Sequence, residues 1–206
     1  MENSQMPYEG QPTEGYYELG GDVVAQRAVQ RTFLWMTLGL AITGLASVFT
    51  VDSGLVFRML EGNMYWFLFI AEIALVWFLS ARVMSLSLPV ATGAFALYSI
   101  LNGVTLSPIF LIYTSESIAS TFFITAGTFG AMALYGYMTK RDLTRLGSLL
   151  FMALTAYDTQ KVKQLAAQTA HDEELSKKVS IIGALNLYLD FINLFLYLLR
   201  LFGRRN

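Results

Sequence analysis

Three carboxylates, Glu72, Asp158 and Asp190, stand in or beside runs that are otherwise apolar. An ionisable side chain in hydrocarbon costs about 2.5 kcal/mol or more, so it is usually interior, paired and functional. Asp190 is the strongest of the three, mid-way along an apolar helical run. Gly183, Asn186, Asp190, Asn193 and Tyr197 follow one another at offsets 0, 3, 7, 10 and 14, which puts them on one narrow helix face. A polar stripe must face protein or water, because lipid cannot satisfy it. It is either the lining of a conducting or sensing interior or a hydrogen-bonded seam between helices. Asp158 ends a short apolar segment in Ala156-Tyr157-Asp158-Thr159-Gln160, and its position alone favours a helix end facing water. Glu72 lies in the middle of its run and needs a partner. Arg82 is ten residues on, about 15 Å along a helix, too far for a direct pair.

Other chemistries find little to work with. The chain has no cysteine, so no disulfide, thiol nucleophile or thiolate metal site can form. The net charge of −1 makes nucleic acid an improbable partner. His171, the lone histidine, sits beside Asp172 and Glu173 in a polar stretch and reads as a solvated loop residue, so a serine protease mechanism within the membrane has no base. Tyr157-Asp158 resembles half of an intramembrane aspartyl protease motif. The other half, Gly-x-Gly-Asp, is absent, because Leu187-Tyr188-Leu189 precedes Asp190. The expectation is a protein that is not an enzyme and holds no resident cofactor.

The elements that must position these carboxylates are membrane spans. The 206 residues are 55% hydrophobic and 14% charged, against roughly 25% charged in a soluble domain. Residues 33–51 carry no charge, residues 64–81 carry only Glu72, and residues 83–115 and 117–139 carry none. About 20 apolar residues suffice to cross the hydrocarbon. Residues 33–51, 64–81, 88–113 and 118–138 are four expected spans, with Pro89 in the first turn of the third and Pro108 kinking or ending it. Gly127, Gly130, Ala131 and Ala133 suggest close packing of the fourth. Residues 146–157 are only twelve uncharged residues, flanked by Arg141 and Arg145 before and Lys161 and Lys163 after. Such a segment reads as re-entrant or interfacial, entering and leaving on one side. A polar loop over residues 164–178 and a last helix over 179–201 follow. Residues 1–25 read as a disordered acidic tail without the basic-then-apolar pattern of a signal peptide, and residues 26–206 as a single transmembrane helical domain.

Basic residues set the orientation. Arg27, Arg31, Arg82, Lys140, Arg141, Arg145, Lys161, Lys163, Lys177 and Lys178 fall on one side of this plan, and Arg58 on the other. The richer side, with the N-terminus, is expected to be cytoplasmic. Arg200, Arg204 and Arg205 leave the side of the last helix's far end open. The fold expectation is an all-α, polytopic membrane helix bundle.

The run Leu187-Tyr188-Leu189-Asp190-Phe191-Ile192-Asn193-Leu194-Phe195, then Leu198-Leu199-Arg200-Leu201-Phe202-Gly203, resembles the signature of the transmembrane Bax inhibitor motif family. So do Thr155-Ala156-Tyr157-Asp158-Thr159-Gln160-Lys161, Gly103-Val104-Thr105-Leu106-Ser107-Pro108-Ile109, and the run from Tyr135 to Leu143. The match runs from about Gln26 onward and is similar to the bacterial members, which implies a multi-pass protein of the inner membrane. The resemblance implies seven spans with the C-terminal helix central, and an aspartate pair, here Asp158 and Asp190, that is hydrogen-bonded and senses pH while gating a calcium leak. It implies an arginine latch, for which Arg82 is the nearest match, although its spacing from Glu72 differs by one residue. Calcium and protons, with the lipid bilayer and other membrane proteins, are the implied partners, and Asp158 and Asp190 the implied calcium ligands. One departure concerns Leu154 and Thr155, which abut where family members carry a longer stretch. About 30 residues, one helix out and most of one back, have no counterpart. That leaves five full spans plus one short re-entrant segment, and a non-conducting modulator of membrane proteins or proteolysis as the alternative function.

Overall fold

The computed structural model describes residues 14–138, 150–169 and 171–206. The described chain forms eight helices: α1 (Glu14–Asp52), α2 (Leu55–Glu61), α3 (Met64–Arg82), α4 (Leu88–Leu106), α5 (Ile109–Ile112), α6 (Ser115–Met138), α7 (Leu150–Gln168) and α8 (Glu173–Phe202). Five stretches are long and apolar enough to cross a membrane: Val23–Asp52, Met64–Arg82, Leu88–Ile112, Ser115–Met138 and Glu173–Phe202. With no strand among the described residues, the protein is an all-α polytopic bundle.

Local chemistry sets the breaks. The chain leaves α1 through Ser53 and Gly54, and Gly54 takes a left-handed φ of 71°, a conformation that a Cβ would disfavour. Pro89 occupies the first turn of α4, where its missing N–H costs nothing. Pro108 separates α4 from α5, as its ring demands. The Asp172 side chain accepts from Leu175 N at 3.0 Å, capping the exposed N–H groups that open α8.

Helix α8 is the hub. Two thirds of its most apolar window (67%) is buried, against 11% for α3. Ile181, Leu185, Leu187, Tyr188 and Leu199 are fully enclosed by α1, α4, α6 and α7, while α3 packs on α4 from outside. Trp66, Phe67 and Trp77 of α3 are exposed, as lipid-facing aromatics are. One end of the hub is pinned to α1: Thr32 Oγ1 donates to Ser180 O and Ser180 Oγ to Ala28 O, each at 3.2 Å. At the other end Thr114 N donates to Arg204 O and Asn206 N to Ile112 O, each at 3.0 Å, and Arg204 N donates to Ser117 Oγ at 2.7 Å. Residues 204–206 therefore lie at the α5–α6 turn, on the opposite side of the bundle from Arg31, which reaches Glu173. The side of Arg200, Arg204 and Arg205, open in the sequence, is thereby fixed relative to the rest.

Several boundaries differ from expectation. Residues 1–13 of the expected tail lie outside the described residues, but the chain is already helical at Glu14. The physical reason is packing, because Ala25 and Ala28 meet Ala166 and Val179 in a small apolar cluster. The expected loop over 164–178 shrinks to the turn between α7 and α8, because α7 continues to Gln168 and α8 starts at Glu173. Lys177 and Glu173, and Lys178 and Glu174, form i,i+4 pairs along that first stretch of α8. Of the expected re-entrant segment, residues 146–149 lie outside the described residues, as do Lys140, Arg141 and Arg145. From Leu150 on, the segment is part of α7, whose described residues are not among the stretches long and apolar enough to cross a membrane.

The glycines expected to mark close packing of α6 do not. A Cβ on Gly127 or Gly130 would meet nothing within 4 Å, and Ala131 is exposed, whereas Ala133 is buried. The close approach falls one turn later, at Gly136, whose Cβ would strike the Ala156 backbone of α7. Gly103 plays the same part between α4 and α1, against Thr43 O and Ala46.

Candidate functional site at the hub helix

Two polar centres meet α8. The first gathers around Glu72, which is buried on α3. Its Oε1 accepts from Asn102 Nδ2 and its Oε2 from Thr105 Oγ1 at 2.7 Å, both donors on α4. The Tyr98 hydroxyl also faces Glu72 and Asn102. Asn102 Oδ1 in turn accepts from Tyr188 OH at 2.9 Å, and Tyr188 OH shares a hydrogen bond of 2.6 Å with Thr43 Oγ1. Thr43 Oγ1 also lies 2.9 Å from Ser99 O, an alternative acceptor for its single proton, so the chain of contacts runs from α3 through α4 to α8 and α1. Sequence reasoning missed every member except Glu72. The available signal was Asn102, the lone carboxamide in the uncharged run 83–115. A carboxylate and a carboxamide in neighbouring spans each need a partner.

The second centre joins α7 and α8. Asp158 and Asp190 are both half-buried, and Asp158 is near enough for its charge to act on Asp190. Asp190 Oδ2 is buried without a partner. The resemblance implies a hydrogen-bonded pair; the structure puts the two carboxyls on α7 and α8, which pack on one another, with the charge of Asp158 acting on Asp190. Burial holds the Asp158 carboxyl above its usual range, while Lys161 works against that rise. Among the described residues no three His, Asp or Glu side chains gather as a metal site. The two carboxylates could contact a passing cation, but they do not form a closed cage.

The remaining expected residues divide. Gly183 of the stripe is buried against Val162 of α7 and Thr32 of α1. Asn186 is half-buried, while Asn193 is exposed and Tyr197 is 54% exposed. Asn186 and Asp190, expected to face protein, are partly covered, while Asn193, expected with them, is exposed because no described helix packs over it. Arg82 is exposed at the end of α3 and makes no ion pair with Glu72, Asp158 or Asp190. Two cavities beside α8 are lined almost wholly by apolar side chains. One of about 710 Å³ is lined by Phe33, Met36, Leu40, Phe122, Phe129 and Phe191 among others.

These features define a polytopic membrane protein built around one central helix that carries an acidic residue at mid-depth. The chain matches the family model described as inhibitor of apoptosis-promoting Bax1 in two pieces, residues 25–156 and 146–206, and it belongs to that Bax inhibitor family. It is 45% identical to the inner membrane protein YbhL of Escherichia coli (strain K12) over 224 residues, covering 89% of this chain and 96% of YbhL. It is 35% identical to an uncharacterized protein of Borreliella burgdorferi over 218 residues, covering 89% of this chain and 94% of that protein. The uncharacterized protein RP147 of Rickettsia prowazekii is also 35% identical, over 214 residues, covering 87% of this chain and 90% of RP147. No solved structure matches.

The YbhL alignment also bears on the abutting motifs. Of 206 residues, 89% is about 183, against 224 aligned positions, so about 41 positions of YbhL face no residue here. The two pieces of the family match meet at residues 146–156, which brackets the junction of Leu154 and Thr155.

Proposed function

We propose that this chain is a pH-sensitive cation leak pathway of the bacterial inner membrane, gated where Asp158 meets Asp190, with calcium as the ion that passes. The observation that carries the reading is the buried, unpartnered Oδ2 of Asp190 beside the Asp158 carboxyl. A carboxylate left without a donor in a low-dielectric interior answers to protons and cations rather than to structure. Two carboxyls that feel one another titrate as a coupled pair, so a change in proton count alters how α7 is held against α8 and how a cation is received. Calcium is cargo here and the protein does no covalent chemistry. The side bearing Arg27, Arg31, Lys161, Lys163, Lys177 and Lys178 is assigned to the cytoplasm by its excess of basic residues.

The test is calcium flux into proteoliposomes across a pH series, with Asp158→Asn, Asp190→Asn and the double variant. The channel reading expects flux that depends on pH, loss of that dependence in either single variant, and little further change in the double variant. Flux that keeps its pH profile in Asp158→Asn overturns the pair. The roughly 41 positions without counterpart favour one second reading, a non-conducting modulator of other membrane proteins. Binding of calcium without flux would support it.

A further inference from the structure

Among the described residues, Asn193 is the one carboxamide or charged side chain exposed in the middle of a candidate span. It lies three residues beyond Asp190 on α8, about 4.5 Å further along the helix axis, and takes part in no hydrogen bond. A threonine or serine in that setting bonds its own helix, as Thr37 does to Phe33 O. The Asn193 amide has two donors and an acceptor, more than its own helix satisfies. Its setting also has the geometry of a seam. Gly183, Asn186, Asp190, Asn193 and Tyr197 are spaced three, four, three, four, the repeat by which one helix keeps the same face towards another over several turns. The inner end of that seam is filled by α7, which presses Val162 on Gly183. At the outer end Asn193 is exposed, and YbhL carries about 41 positions that face no residue here, while the two pieces of the family match meet at residues 146–156, where α7 begins.

We propose that a second copy of this chain covers the outer half of the seam, so that α8 packs on α8 about a two-fold axis near Asn193. A carboxamide is self-complementary, because each Asn193 can donate to the oxygen of its twin and accept from its amide. A two-fold axis brings any residue on it against itself. Lipid offers neither donor nor acceptor, so the pairing removes a cost that the monomer carries. The proposal does not depend on whether the bundle conducts.

The chain's lack of cysteine makes the test direct. Asn193→Cys in the full chain, oxidised in native membranes, is expected to give a disulfide-linked dimer. Trp77→Cys, on a lipid-facing surface of α3, is expected to give none. Asn193→Leu should weaken the dimer about three- to thirtyfold, as measured by dilution of fluorophore-labelled protein in bilayers. That is the range for one interhelical side-chain hydrogen bond. Asn193→Gln should retain most of the association. A monomer at all protein-to-lipid ratios, equal cross-linking at positions 193 and 77, or a dimer indifferent to Asn193→Leu overturns the proposal. So does labelling of Asn193→Cys by a membrane-impermeant thiol reagent without dimer, which would mean that water fills the open face.

Discussion

The α3–α4 contact and the α7–α8 contact each hold an acidic side chain inside the bundle, and they treat it in opposite ways. Glu72 is met by donors on both carboxylate oxygens, and the acceptor of its first partner is satisfied in turn by Tyr188. Asp190 has a buried oxygen with no donor at all, beside a second carboxyl. Burial alone therefore does not mark a working group in this protein. A fully satisfied polar cluster specifies how helices meet, while an unsatisfied one stores the capacity to respond. By that criterion Glu72 is structural and Asp190 is the group to test for function.

The difference can be broken most forcefully at Asn102. Asn102→Leu takes one donor from Glu72 and the carboxamide acceptor from Tyr188, whose hydroxyl keeps only Thr43, so two buried groups each lose a partner at about 1–3 kcal/mol. The expected loss is about 2–6 kcal/mol, read as a large fall in Tm in mild detergent. A Tm within a degree of wild type would remove the structural reading of Glu72. Next in size is Gly103→Ala, which drives a Cβ into Thr43 O and Ala46 and should cost about 1–3 kcal/mol by parting α1 from α4. Gly127→Ala, with open space around it, should cost nothing measurable.

The responsive contact should behave the other way. Asp190→Asn removes a charge that lacks a donor, so stability should hold within about 1 kcal/mol or rise. A loss like that of Asn102→Leu would make the two contacts alike. The smallest effect is a slope with pH. Below the ordinary value of 3.8 the Asp158 carboxyl is protonated in the folded and unfolded chains alike. Above it the unfolded chain ionises first, because burial raises the folded-state value. Stability should therefore fall as pH rises from 3.8 through that raised value, then level off. Asp158→Asn should lose that part of the slope in thermal melts taken across acid pH.

Much of this architecture is legible in the sequence because lipid imposes a simple rule. Uncharged runs of helical length had to be spans, and α3, α4 and α6 fall close to the expected limits. Pro108 ends α4 where its ring requires. What escaped was decided between helices. Nothing local distinguishes Gly136, which touches α7, from Gly127, which touches nothing. The first turns of α8 look polar enough for a loop, but the Asp172 cap and two i,i+4 ion pairs hold them helical. The Asp158 assignment came from resemblance alone, and only the packing of α7 on α8 makes it a neighbour of Asp190. The stripe was sound as a helix face, but its periodicity could not tell which part of that face would be covered.

The central position of α8 has a consequence for biosynthesis. The helices that wrap it, α1, α4, α6 and α7, all leave the ribosome first. From Asp52 at the end of α1 to Glu173 at the start of α8, about 120 residues must be made, roughly 6–24 s at common rates of translation. For that interval Thr43 waits in the bilayer without Tyr188 and Thr32 without Ser180, and Asn102 joins them for its last 71 residues. The early helices are thus inserted as a loose shell with unmet hydrogen bonds, and the arrival of α8 converts the shell into a bundle in one step.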